Sequence, residues 1–577
     1  MAEPARIVTA PVRGPDHPGF ASLASVVAAD ALVRQAWSAG RPADLTVPVL
    51  AGELQSHHAL ERELARQGRD GRSLTDAEYG ARSAAFAADC LEAVTARLAA
   101  LGVGGSLVHL AAGEADVVRV AHTAFVTLYE QGLVELVDRV VPTCPRCRTA
   151  LDDADTVPGE VAGERLTVAL AVEGGGDLHV ALDDPELLVG AVAVAVPEGH
   201  AGPGSGSGSG VTLPLADRTV PVVVDPTRTE PGLVVAAHDP RGHALAVAAG
   251  LAAIPVLDGD GVVCAPGPLA GLGRFAARAE ARALLEAEGA VVSAVPVTEQ
   301  VSRCGSCATV VVPQLGRHWV LRSGDLEVAA ADAVRAGEVA FSPPEARDAF
   351  LARAGARREW CLSSGVPGGV AVPAAVCLDC GRLAVQASPV SSCNGCMGQL
   401  APDRATLDAR FVAAAWALGL AGWPDRRGAA PAPPAVVSTL DDLGRWVVPA
   451  MALGLRLAGS PLFGQVTVHP WPRGDEPPAP DAFGPGVDRR VARLALVAGT
   501  GDLAAADAAV AALDGPAGPG GPGPDEVMAE VAASLAAALS AGTPTMAAGL
   551  LVSSLVAGVP AAAAGRLRAL ASPILGE

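Results

Sequence analysis

Lysine is missing altogether. All 42 basic residues of this 577-residue chain are arginines, which excludes Schiff-base catalysis, a phosphate-loop lysine and any site that works through a compact ammonium. Aromatic residues are scarce, at 3%. Leu, Val and Ala must therefore fill the cores, with 66 glycines and 47 prolines breaking the elements. A codon preference for Ala, Gly, Pro and Arg accounts for that bias. Positive charge is also short. A net charge of −20 argues against extensive nucleic-acid contact, because such binders neutralise phosphates with basic surface, although a local arginine patch is compatible with it. The N-terminal MAEPARIVTAPVRG has no apolar signal core, so a cytosolic chain with reduced thiols is expected. No membrane span is expected either. Val531 to Gly565 is uncharged, but Gly542, Pro544, Gly558 and Pro560 interrupt it, which suits a packed helical pair.

What is present is core-forming material. With 50% hydrophobic and 18% charged residues, the chain can bury large cores in roughly two to four domains. A short strand is expected over Ala5–Ala10 and a helix over residues 20–37. Residues 55–101 read as helical, and residues 117–137 repeat apolar positions at helical spacing. After Cys147 the pattern changes to short Val-rich runs with period two, such as LTVALAV, AVAVAV and TVPVVV. These predict a β-rich, barrel-like domain over residues 165–300. GPGSGSGSG at 202–210 reads as a flexible insertion. VVPAMALGLRLA predicts a helix, and GPAGPGGPGP at 515–524 a linker before an Ala-rich C-terminal unit.

Eleven cysteines include four Cys-x-x-Cys pairs: Cys144/Cys147, Cys304/Cys307, Cys377/Cys380 and Cys393/Cys396. In a reducing compartment, two zinc sites of four cysteines each explain them economically, since tetrahedral zinc takes four thiolates and each knuckle supplies two. Twelve residues separate Cys380 from Cys393, enough for a small ribbon. The other two pairs flank the β-rich stretch, where a shared zinc would pin its ends together. With four thiolates no position is left for a catalytic water, so both metals would be structural. Redox dithiols, or one zinc beside a degenerate second site, are the alternatives.

Several segments together resemble the class I aminoacyl-tRNA synthetases of the valine, isoleucine and leucine branch, most of all the valyl type. RVVPTCPRCRTALDDADT resembles the exit from the first half of that catalytic domain. LERELARQGRDGRSLTDAEYGARSAAF and AFVTLYEQGLVE are similar to segments before it. VDPTRTEPGLVVAAHDPRGHALAVAAGLAAIPVLDGDG resembles the family's editing core. SRCGSCATVVVP, REWCLSSGVPGGVAVPAAVCLDCG, DARFVAAAWALGLAGWPD and STLDDLGRWVVPAM follow in the family's order, so the likeness runs over residues 5–500. The implied fold class is α/β: a Rossmann-type catalytic domain interrupted by a β-rich editing-like domain, with zinc knuckles and a short α-helical C-terminus. The implied divisions are 1–147 and 304–500 for the two catalytic halves, 148–303 for the insertion, and 501–577 for linker and tail.

The resemblance also implies where the chemistry should sit. The family's His-x-Gly-His ATP loop falls on His17-Pro18-Gly19-Phe20, leaving His17 and Gly19 as remnants. Its Lys-Met-Ser-Lys-Ser loop falls on GDEPPAPDAFGPGVD, acidic and lysine-free, with Arg473 at the edge. Removing one preorganised donor to a developing charge costs about 2.7–4 kcal/mol, so ordinary adenylation is not expected. The ribose-binding Gly-x-Asp falls on Thr439-Leu440-Asp441, where Asp441 is kept and can equally cap a helix. In the editing domain the family's His-Asp is kept as His238-Asp239, the further acid is Gly242, and Thr-Thr-Arg-Pro-Glu becomes Leu182-Asp183-Asp184-Pro185-Glu186. About 75 residues follow position 500, too few and too apolar for the family's anticodon bundle, so tRNA contact is not expected. Two readings result. One is a synthetase-derived protein without normal charging that keeps zinc and can still meet ATP, a small aliphatic amino acid or a protein partner. The other is a divergent but active ligase on tRNA or another acceptor.

Overall fold

The computed structural model describes residues 4–12, 20–51, 53–152, 155–203, 209–388, 390–425 and 432–469, together with residues 493, 497, 506, 510, 571, 572, 574 and 575. Valine-rich strands and alanine-rich helices alternate at the start of the chain: β1 (Ala5–Thr9), α1 (Phe20–Ser38), β2 (Ala43–Leu50), α2 (Leu54–Arg66), α3 (Asp76–Ala100), β3 (Ser106–Leu110) and α4 (Ala115–Glu130). The next stretch holds β4 (Val134–Cys144), β5 (Thr149–Ala150), β6 (Thr156–Ala171), β7 (Asp177–Leu182), β8 (Ala193–Val196), β9 (Gly210–Leu213), β10 (Arg218–Val224) and β11 (Gly232–Val234). It continues through α5 (Pro240–Ala248), α6 (Arg274–Ala287), β12 (Val291–Cys304) and β13 (Val312–Arg322). Then come α7 (Gly324–Arg335), β14 (Ala340–Ser342), α8 (Glu345–Arg353), β15 (Glu359–Cys361), β16 (Ser363–Ser364), β17 (Ala374–Cys377), β18 (Leu383–Val385), β19 (Leu400–Pro402) and β20 (Thr406–Leu407). Last are α9 (Ala409–Leu420), β21 (Ala435–Thr439), α10 (Leu440–Asp442), α11 (Val448–Leu453) and β22 (Gln465–His469).

The chain divides into two compact units. One comprises residues 1–134, 321–362 and 367–577, and the other residues 135–320 and 363–366. The first is built on a six-stranded sheet in the order β14-β22-β21-β1-β2-β3. Every neighbouring pair in it is parallel. Helix α1 packs on this sheet and is apolar nearly all round, because its outer face is covered as well: Val497, Ala506, Val510, Ala571, Ile574 and Leu575 join Leu23, Val26, Val27 and Val33 in one core. A buried ion pair sits in that core. Arg493, with no exposed surface, donates to Asp30 Oδ2 at 2.6 Å and to the Leu101 and Ile574 carbonyls.

The second unit is β-rich, and its strands form separate sheets: β11-β8-β10-β9 and β12-β6-β7, with β13-β4-β5 beside the cysteines. The period-two pattern finds these strands but passes over α5 and α6, which supply Ala246, Ala277, Ala281 and Leu285 to its cores. Two helical boundaries also differ from the sequence pattern. The apolar repeat of 117–137 ends as helix at Glu130, where Gly132 turns left-handed (φ 69°) and its N–H bonds the Tyr129 carbonyl, so Val134 already belongs to β4. Residues 55–101 are two helices. Gly68 (φ 69°) ends the first, and Thr75 with Glu78 forms a capping box that starts the second. No helix among the described residues is long and apolar enough to cross a membrane, and the uncharged stretch 531–565 lies outside them.

Candidate functional site

In open parallel sheets ligands bind beyond the carboxyl ends of the strands where the strand order reverses. Here that point lies between β1 and β21: the chain leaves β1 outward to β2 and leaves β21 outward, the other way, to β22. Asp441 stands there, in the first turn after β21, and is exposed. It is not the cap. Thr439 Oγ1 accepts the Asp442 N–H at 3.1 Å and donates to Asp442 Oδ2 at 2.8 Å, so the buried Asp442 closes the helix start while Asp441 is left exposed. The helix from this point winds through two wide π turns, Leu443–Val447 and Gly454–Ala458, a deviation frequent at functional sites. His17, Gly19 and Arg473, with the acidic stretch after it, lie outside the described residues.

In the second unit His238 and Asp239 are neighbours in sequence with separate duties. Nδ1 of the buried His238 donates to the Pro313 carbonyl at 2.8 Å, and Nε2 accepts the N–H groups of Val256 (3.0 Å) and Leu257 (3.2 Å). A nitrogen that accepts two N–H groups carries no proton, so the ring is neutral. Burial holds its pKa below the ordinary value, against the opposing hydrogen bond to Pro313. Asp239 caps α5, accepting from Arg241 N at 3.1 Å and Gly242 N at 2.9 Å. At Gly242 a Cβ would lie 3.0 Å from Asp239 Oδ2 and 3.2 Å from Val235 N, so a side chain there would crowd the cap.

The segment 182–186 is occupied by arginines. Arg165 grips Asp183 in two parallel bonds of 2.7 and 2.8 Å. Arg278 bonds Asp184, reaches Glu186 at 3.1 Å and Glu299 at 3.5 Å. One guanidinium thus faces three carboxyls. Burial pushes the Glu186 carboxyl up to about 8; Glu299 adds to the rise, while its own backbone bond and Arg274 oppose it. Sequence reasoning misses this hub. Its trace is the spacing of Arg274, Arg278 and Arg282, four residues apart along one face of α6.

The eight paired cysteines come together as two groups of four, Cys144, Cys147, Cys304 and Cys307 in the second unit and Cys377, Cys380, Cys393 and Cys396 in the first. Within each group all four sulfurs lie within 4.8 Å of one another. Closest approaches are 3.5 Å for Cys144 to Cys307 and for Cys377 to Cys396. Four thiolates at about 2.3 Å from one ion lie about 3.8 Å apart, so both groups could hold a metal ion. The backbone agrees. After the second cysteine of every pair the next residue is left-handed: Arg148 (φ 53°), Ala308 (58°), Gly381 (70°) and Met397 (62°). Its N–H bonds the carbonyl of the first cysteine at 2.7 to 2.9 Å. Three non-glycine residues held in that region, at one repeated position, mark four equivalent turns whose purpose is to aim two sulfurs at a point. Hydrogen bonds from Cys144, then Cys147, hold the Cys304 thiol far below its ordinary pKa, and the backbone N–H groups of Gly395 and Cys396 bring Cys393 down to about 6.

A family profile described as tRNA synthetases class I (I, L, M and V) matches residues 10–394. A valine--tRNA ligase of Solibacter usitatus is 31% identical over 363 residues, covering 61% of this chain and 42% of that protein. One of Streptomyces coelicolor is 29% identical over 436 residues, covering 72% and 48%. The chain thus spans less than half the length of these curated relatives. Among solved structures, a Mycobacterium tuberculosis methionyl-tRNA synthetase in complex with methionyl-adenylate is 12% identical, with a TM-score of 0.49, covering 100% of this chain and 92% of that one.

Proposed function

Because the chain belongs to the class I tRNA synthetases of the isoleucine, leucine, methionine and valine group, we propose that it is a valine-type, synthetase-derived protein that binds ATP without charging tRNA at a normal rate. The observation that carries this reading is the acidic, lysine-free GDEPPAPDAFGPGVD where the family has its lysine-bearing loop. Without cations there, a departing pyrophosphate lacks the stabilisation that is usually the largest catalytic contribution. The editing segment supports the same reading: His238 has both nitrogens committed, Asp239 caps a helix, and Asp183 and Asp184 are held by arginines. The domain division of 1–147, 148–303, 304–500 and 501–577, zinc as the metal of both clusters, a cytosolic location, and a small aliphatic amino acid or protein partner belong to this proposal. Zinc, when bound, would have no position for a catalytic water, since four thiolates fill its coordination.

Asp441 favours retained nucleotide binding, because an exposed carboxylate at the switch point can accept ribose hydroxyls. Calorimetric titration with ATP tests it. Asp441→Ala should weaken ATP about tenfold, roughly the worth of one charged hydrogen bond, without lowering thermal stability, since Thr439 and Asp442 keep the cap. Pyrophosphate exchange with a panel of amino acids tests the rest: exchange with valine at a normal synthetase rate would sink the disabled-ligase reading and establish an active ligase.

A further inference from the structure

We propose that the two tetrathiolate clusters are unequal: the ribbon of Cys377, Cys380, Cys393 and Cys396 is an exchange site that yields a soft divalent cation to competing thiolates, while the cluster of Cys144, Cys147, Cys304 and Cys307 keeps its ion as a fixed cross-link. The proposal rests on the metal reading of the clusters, not on the ligase reading.

Access is the first ground. Cys144, Cys147 and Cys304 are 0%, 4% and 1% exposed, and Cys307 is half-buried. In the ribbon Cys377 and Cys393 are buried, but Cys380 and Cys396 are exposed. Their neighbours Leu378 and Met397 are 63% and 75% exposed, so little protein shields that edge. Ligand replacement at a filled tetrahedral site needs an entering sulfur to approach while another leaves, and only the ribbon has two exposed ligand residues. Arg382 adds an attraction, since its guanidinium lies beside Gly395, between the last two cysteines, and the entering group is an anion.

Chain topology is the second ground. The ribbon's ligands all fall between residues 377 and 396, on a three-stranded sheet of β18-β17-β19. Opening it disturbs little else. The other cluster joins pairs about 160 residues apart and closes the end of the long β6/β12 ladder, whose last paired residues are Thr156 and Cys304. Cys144 ends β4 and Cys304 ends β12, so two of its four sulfurs are carried by paired strands. In the exchange the entering thiol would give up its proton as its sulfur takes the place of the Cys380 or Cys396 sulfur, and the departing thiolate would take up that proton through solvent. Nothing is oxidised or reduced.

Zinc-loaded full-length protein, its metal content measured by elemental analysis, is mixed with glutathione and a chromophoric zinc chelator, and release is followed. Two equivalents bound, with one released at least about tenfold faster, is the expected result. N-ethylmaleimide added when one equivalent has left should label Cys377 to Cys396 and spare Cys144, Cys147, Cys304 and Cys307, by peptide mass spectrometry. Cys380→Ser with Cys396→Ser should abolish the fast equivalent and retain the slow one. Two equivalents released at one rate, or early label on the second-unit cysteines, overturns the proposal alone. Protein that takes up no metal overturns the metal reading with it.

Discussion

Glu186 shows how position decides the state of a single carboxyl. It sits buried beneath an arginine already engaged by Asp184 and Glu299, and its pKa rises to about 8. The folded protein therefore holds a proton that the unfolded chain releases, so this residue makes stability fall as pH rises from the ordinary carboxylate range toward 8. Glu186→Gln should flatten that slope: its urea midpoint should match the parent near pH 4, below the ordinary carboxylate range, and exceed it increasingly up to pH 8. His238 behaves as a pin. His238→Ala leaves the Pro313 carbonyl without a donor and two buried N–H groups without an acceptor, which should cost about 2–4 kcal/mol. Equilibrium urea denaturation measures it, and a loss below about 1 kcal/mol would contradict the pinning role. Neither behaviour is legible in the sequence. The His-Asp dipeptide at 238–239 announces a site by resemblance, whereas the partners that absorb it come from residues 256, 257 and 313, which no local pattern connects to it.

Helices and strands are readable wherever their own residues decide them. Helix α1 has both a helical period and a continuous apolar surface, and its range follows the pattern closely. The stop at Glu130 escapes the pattern because Val134 and Leu136 prolong the helical spacing beyond Gly132, and only the left-handed turn at the glycine breaks it. The Cys-x-x-Cys spacing yields the four knuckles and their grouping in fours, but not the left-handed residue that follows each. The most consequential element contact is invisible in sequence: Arg493 buried against Asp30 of α1, with the Ile574 carbonyl as a further acceptor. Asp30 also accepts from Arg34 at 2.7 Å and Gly104 N at 3.0 Å. Arg34 and Gly104 would still hold Asp30, so Arg493→Met should lose about 1.5–3 kcal/mol, the worth of a hydrogen bond to a charged group, rather than the larger loss of a stranded charge. Thermal or chemical unfolding followed by far-UV circular dichroism would register that loss.

At the scale of the molecule the α/β class is legible because βαβ alternation and period-two runs occupy different parts of the chain. The expected β-rich insertion is there as two sheets closed around one apolar core, with β6 meeting β9 through the Val172–Val211 bridge, whereas its two helices go unannounced by the Val-rich runs. Each compact unit has its own apolar cores, so unfolding should not be two-state. Scanning calorimetry should resolve two transitions. Cys304→Ser with Cys307→Ser should lower the one belonging to residues 135–320 by roughly 5–10 °C while the other stays, in keeping with metal binding as folding energy; a single transition moved as a whole would refute that independence.

The parallel sheet also sets a timetable for synthesis. Strand β1 pairs on one side with β2, made within seconds of it, but on the other with β21, in the register Ile7 to Ala435. At about 5–20 residues per second, a ribosome needs roughly 20 to 90 s to deliver that partner. Throughout the interval one edge of β1 lacks its native neighbour and is of the kind that recruits other strands, so the time available for wrong pairing is set by the arrival of residues 435–439.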